Sequence, residues 1–101
     1  MGGEAKPVAE IDSSQREFER MDGELDAALV FAAGAEYHQS EGEPDLAAAC
    51  LSDAVNLYAK VLGGFFRADL TGGQRQALRA KLLRVRQIIK GLGPPRRNEA
   101  A

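Results

Sequence analysis

Few side chains in this 101-residue sequence have the chemistry for a site, and their spacing limits what that site can be. There is one histidine, His38, and one cysteine, Cys50. His38 follows Tyr37 near the predicted end of a helix, where the negative end of the helix dipole favours an imidazolium and gives the residue a structural role. Glu36, Glu41 and Glu43 lie close by, but a solvated loop accounts for them as well as a paired acid and base does. A single thiol excludes an internal disulfide and a cysteine-rich zinc site, and it reads as a buried, reduced thiol on a helix. Gly72-Gly73 lacks the Lys-Ser/Thr that completes a phosphate-binding loop. No convergent set of groups suited to an active site emerges. The chain is expected to be non-catalytic and to hold neither metal nor cofactor.

Charge is the one chemical signal that stands out. Residues 1–69 hold five Lys/Arg against fourteen Asp/Glu, a net −9, while residues 70–101 hold eight against one, a net +7. Arg75, Arg79, Lys81, Arg84, Arg86 and Lys90 fall on one predicted helix, followed by Arg96 and Arg97. Such a basic stretch could meet nucleic acid or anionic lipid. No aromatic side chain interleaves with the charges, however, and no nucleic-acid motif is present. Pairing with the acidic helices of the same chain is the simpler expectation.

Three helices must position these residues. Ser14-Gln15-Arg16-Glu17 has the form of a capping box, and Phe18, Met21, Leu25, Ala28, Ala32 and Ala35 then recur every three or four residues, predicting a helix over 14–39. Ser40-Glu41-Gly42-Glu43-Pro44 is a turn, with proline suited to the first position of a second helix over 44–66. That helix carries Ala47, Cys50/Leu51, Ala54, Leu57/Tyr58 and Val61/Leu62 inward. Gly63-Gly64 is expected to end or kink it, with the end between Leu62 and Asp69, since Phe65 and Phe66 both call for burial. Thr71-Gly72-Gly73-Gln74 is a second capping box, opening a helix over 72–90 with Leu78, Leu82, Val85, Ile89 and Leu92 inward. Gly91-Leu92-Gly93-Pro94-Pro95 stops it. No alternating β-branched run occurs. Short turns imply antiparallel neighbours, so the fold class is all-α, a three-helix up-down-up bundle over 14–92, with a flexible leader at 1–13 and a disordered tail at 93–101. Leu25, Ala28, Ala32, Ala54, Tyr58, Val61, Leu82, Val85 and Ile89 form the expected core. No stretch approaches the roughly 18 consecutive apolar residues of a membrane span. The first residues match neither a signal nor a transit peptide, so a cytoplasmic protein is expected.

Residues 25–92 resemble the microtubule-interacting and trafficking (MIT) domain family. The matching pieces are Ala28-Leu29-Val30 with Ala32-Ala33, the turn at Gly42, Ala54-Val55-Asn56-Leu57-Tyr58, and Leu78-Arg79-Ala80-Lys81. The resemblance implies a three-helix module that binds helical C-terminal tails of ESCRT-III subunits in endosomal sorting, and hence an endosome-associated location. Many members carry Arg-Ala-Glu near the end of helix three, where this chain has Ile88, Ile89 and Lys90. A bulky side chain replaces a small one and a base replaces an acid, so an acidic peptide suits this chain better. A tetratricopeptide-like hairpin with a capping helix fits Tyr37 and Ala54 loosely as well. A nucleic-acid-binding domain and a self-associating bundle are the readings from other classes.

The expected function is therefore protein interaction. A partner's amphipathic helix would lie in a groove beside helix three, walled by Leu51 and Val55 on helix two and by Leu83, Ile88 and Leu92 on helix three, with Arg86 and Lys90 at its edge. Each of the five apolar residues could equally be ordinary core.

Overall fold

The computed structural model describes residues 2–92, with side chains from residue 13 onward. It contains three helices, α1 (Gly2–Ser40), α2 (Pro44–Phe65) and α3 (Gly72–Leu92), and no strand among the described residues. The architecture is the expected all-α three-helix bundle. Lys81 on α3 bonds to Asp26 on α1, while Gln74, earlier on α3, bonds to Ser14, earlier on α1. Both pairs advance together, so α1 and α3 run parallel and α2 returns between them.

α1 supplies half of the core. Met21, Leu25, Ala28, Ala32 and Ala35, spaced four and three apart, are all buried, as are Ala54 and Val61 from α2 and Leu78, Leu82 and Val85 from α3. Burying side chains the size of Met21, Leu25 or Leu78 stabilises the fold by about 1.5–3 kcal/mol each. Tyr58 and Ile89, both expected in the core, are half-buried and pack against its edge. The two ends of the bundle differ in residue size. Met21, Leu25, Leu78 and Val61 fill one end, whereas Ala28, Ala32, Ala35 and Ala54 bring the backbones together at the other. A Cβ built on Gly34 would lie 3.3 Å from the Cys50 sulfur, so α1 and α2 nearly touch there.

The turns follow from local chemistry. Gly42 takes a φ of +73°, which glycine adopts without penalty. Its N–H donates to Gln39 O at 3.2 Å and the Glu43 N–H to His38 O at 2.8 Å, satisfying the last carbonyls of α1 in a Schellman motif. Pro44 then opens α2 as expected. At the start of α3 the Gln74 N–H donates to Thr71 Oγ1 at 3.1 Å and the Thr71 N–H to Gln74 Oε1 at 2.9 Å, the predicted capping box.

Two expectations need correction. α1 begins at Gly2, not at Ser14, so helical backbone runs through the segment read as a leader. The Ser14 hydroxyl caps nothing; it donates across the bundle to Gln74 Oε1 at 2.7 Å. α2 passes through Gly63-Gly64 and ends at Phe65, inside the expected window from Leu62 to Asp69, but Phe66 is 73 % exposed instead of buried. The expected tail at 93–101 lies outside the described residues.

Candidate functional site

Polar contacts fix which flank of α3 faces which neighbour. Arg75 donates to Phe65 O at 3.0 Å and to Ala68 O at 2.6 Å, and its guanidinium lies 5.2 Å from the Phe65 ring centre. That flank therefore turns toward α2. Lys81 reaches Asp22 at 2.6 Å and Asp26 at 2.7 Å, so the other flank turns toward α1. At about 100° per residue, Arg79, Leu83, Arg86 and Lys90 follow Arg75 up the α2 side, while Ile88 and Leu92 follow Lys81 up the α1 side.

α2 divides in the same way. Lys60 holds Glu24 of α1 at 2.8 Å, and a Cβ on Gly64 would lie 3.0 Å from Met21 Cε, which marks the α1-facing flank. Leu51, Val55, Tyr58 and Leu62, spaced four, three and four, lie on the α3-facing flank. Packing between α2 and α3 is the sparsest of the three helix pairs. On the two walls of the groove outside that seam Val55 is 40 % exposed and Leu83 48 % exposed.

The seven residues expected to form one site thus separate into two sets. Leu51, Val55, Leu83, Arg86 and Lys90 share the α2/α3 groove. Ile88 and Leu92, both half-buried, belong to the α1/α3 side with Leu29 and Ala33. There the paired Lys81, Asp22 and Asp26 cross between the helices. Sequence reasoning missed Arg79, which lies one turn below Leu83 on the same wall.

Among the described residues the expected pairing of the basic helix with acidic neighbours holds for one cation. Among the described residues Lys81 alone of the α3 cations has carboxylate partners; hydrogen bonding to Asp22 and then to Asp26 raises its pKa above the ordinary lysine value. Arg75 is spent on backbone carbonyls. Arg79, Arg84, Arg86 and Lys90 have no carboxylate within 4.0 Å among the described residues. Two other acids of α1 are engaged within that helix: Arg20 bonds Glu17 at 2.6 Å and Glu24 at 3.1 Å, and the bond to Glu17 raises the Arg20 pKa.

Other candidates organise less. His38 Nδ1 lies 2.7 Å from Glu43 Oε1 across the α1–α2 turn, an ion pair when the ring is protonated. It ties the turn together with no third group aimed at the pair. Cys50 is half-buried against Gly34. Among the described residues no three His, Cys, Asp or Glu side chains gather as metal ligands would. A shallow, open depression on α1 is lined by Ser13, Arg16, Glu17, Glu19 and Arg20, whose charges partly satisfy one another. α2 is long and apolar enough, by length and composition, to cross a membrane, whereas no such span was expected from the sequence. In the bundle it buries Ala54 and Val61 and carries Lys60 paired to Glu24. Compared with known protein families, curated proteins and solved structures, the chain has no match.

Proposed function

We propose that this chain is a non-catalytic interaction module that holds an acidic, amphipathic helix of a partner protein in the groove between α2 and α3. The observation that carries the reading is the meeting of two kinds of unsatisfied surface in one groove. Val55 and Leu83 offer exposed apolar area, and Arg79, Arg86 and Lys90 beside them have no carboxylate partner among the described residues. An amphipathic helix lays its apolar face into such a groove. Carboxylates at its edge speed association and select partners, while apolar contact supplies affinity.

The resemblance to MIT domains supports the same class of function and implies an ESCRT-III subunit tail, met at endosomes in the cytoplasm, as the partner. Lys90 in place of the family's acid argues for an acidic tail. A nucleic-acid ligand is less favoured, since the groove pairs its cations with exposed aliphatic side chains, and Tyr58, the aromatic residue on its α2 wall, is half-buried against the core instead of open for stacking on bases.

The test uses a synthetic amphipathic helix with glutamates beside its apolar stripe, measured by surface plasmon resonance at two ionic strengths. Reversing Arg86 and Lys90 to Glu should lower the association rate by about tenfold and flatten its salt dependence. Circular dichroism checks that the variant keeps its helices. Unchanged kinetics would remove this groove as the recognition face. Preference for a basic peptide would move recognition to the acidic α1.

A further inference from the structure

The α2/α3 groove is charged along one wall only. Arg79, Arg86 and Lys90 line the α3 wall around Leu83. On the α2 wall Leu51, Val55 and Leu62 are uncharged, and so are Ala48, Ser52 and Ala59 just outside them. The charged residues of central α2, Asp53 and Lys60, share the opposite flank, where Lys60 holds Glu24 at 2.8 Å. A helix lying in the groove meets cations along one edge of its apolar stripe and neutral surface along the other.

We infer that this one-sided charge sets the direction in which the partner helix lies, an inference that rests on the groove reading above. A right-handed helix has distinguishable edges. Viewed from its N-terminus, the residue after an apolar position is turned about 100° clockwise and the residue before it the same angle anticlockwise. Carboxylates that precede the apolar residues therefore occupy one edge of the stripe, and carboxylates that follow them occupy the other. Turning the helix end for end exchanges the two edges in the groove.

The order of the bundle converts this into a polarity. Viewed from the N-terminus of α3, the α1-facing Lys81 lies anticlockwise of the buried Leu78, Leu82 and Val85, and the α2-facing Arg79 lies clockwise. α2 thus follows α1 clockwise around α3, and the groove lies further clockwise still. A partner that turns its carboxylates toward α3 runs parallel to α3 when they precede its apolar residues. It runs antiparallel to α3 when they follow. The partner class is an amphipathic helix with acid on one edge, and the edge is read as direction.

Two peptides of identical composition test this. Both carry leucine at positions i, i+4, i+7 and i+11; one has glutamate immediately before each leucine, the other immediately after. Each bears a nitroxide at its N-terminus and is titrated into the full chain labelled with nitrogen-15. The first peptide should broaden amides near Gly73–Arg75 and spare Ile88–Gly91; the second should do the reverse. With Arg79→Gln, Arg86→Gln and Lys90→Gln combined, each peptide should broaden both ends. If both peptides bind the unaltered groove in one direction, or in mixed directions, the inference fails while the groove reading stands. If neither peptide moves a groove amide, both fall. Groove shifts that grow with protein concentration alone assign the surface to a second copy, and shifts produced only by vesicles of anionic phospholipid assign it to lipid. Either result overturns the proposal.

Discussion

Lys81 on α3 and Asp22 on α1 meet at 2.6 Å between two parallel helices, and Asp26, one turn on, shares the same ammonium at 2.7 Å. One cation thereby fastens α3 to two successive turns of α1. The pair is partly solvated, so its contribution is limited by screening and by the entropy of holding a long side chain.

Replacing Lys81 with Met should cost about 1 kcal/mol or less in thermal or urea unfolding. Its pH dependence identifies the cause. The folded pKa is raised above the model-peptide value of 10.5, chiefly by the bond to Asp22. The stabilisation from that shift is therefore fully present below pH 10.5 and is lost as pH rises through the folded value. The difference between the two proteins should stay flat from about pH 7 to 9 and close at higher alkalinity. A difference unchanged beyond that range would show that packing of the side-chain stem, not charge, is what Lys81 contributes.

Gly23 and Gly42 should respond oppositely to alanine. Nothing lies within 4 Å of a Cβ at Gly23, which sits exposed in the middle of α1. Gly23→Ala should raise stability by about 0.8–1 kcal/mol, through helix propensity alone. Gly42 has a φ of +73°, so Gly42→Ala should lower stability by about 1–2 kcal/mol. Calorimetry on the two variants checks both signs.

Leu82 and Leu83 are sequence neighbours on opposite sides of a boundary. Leu82 is buried in the core and Leu83 is 48 % exposed. Leu82→Ala should cost about 2–5 kcal/mol in urea denaturation. Leu83→Ala should change stability by no more than about 0.5 kcal/mol while weakening the acidic test peptide. Equal costs at the two positions would mean that the groove wall is core.

Gln74 makes more bonds than any capping residue needs. It completes the Thr71 box, accepts from Ser14 at 2.7 Å and donates to Gln15 Oε1 at 3.2 Å. Gln74→Ala should cost about 0.5–2 kcal/mol, the range of a lost cap, and the loss should be largely absent when Ser14 is also replaced only if the interhelix bond dominates. A double-mutant cycle separates the two contributions.

The pattern of leucine and alanine was enough to recover the three helices, the turn at Gly42 and nearly all of the core, because each feature depends on residues within four positions of one another. The start of α1 was not recoverable in that way. Ser14 and Glu17 have capping-box types, but the box exists only where the backbone leaves the helix, and whether it leaves depends on residues before Ser14. The exposure of Phe66 was missed because burial was argued from residue type, while Phe65 alone takes the place under Arg75. The candidate site was half legible. Leu83, Arg86 and Lys90 were grouped correctly by helical period. Ile88 and Leu92 were grouped with them although helical period alone puts those two on the opposite flank of α3, beside Lys81; what period does not say is which of the two flanks faces α2. That choice depends on the handedness of the bundle, which a one-dimensional pattern does not carry.

α3 is tied chiefly to α1, from which it is separated by the whole of α2, and the bonds Ser14–Gln74 and Asp26–Lys81 close loops of 60 and 55 residues. The α1–α2 hairpin needs only the short closure at Gly42, whereas α3 recovers its ordering entropy only after a long segment has been brought round. Opening should proceed in reverse order. Amide hydrogens of α3 should exchange through a partly unfolded form in which α1 and α2 remain paired, at a free energy below that of global unfolding. In that form the inner sides of Leu25 and Val61 face water, so the route by which the bundle loosens is also one that uncovers the apolar centre of the protein.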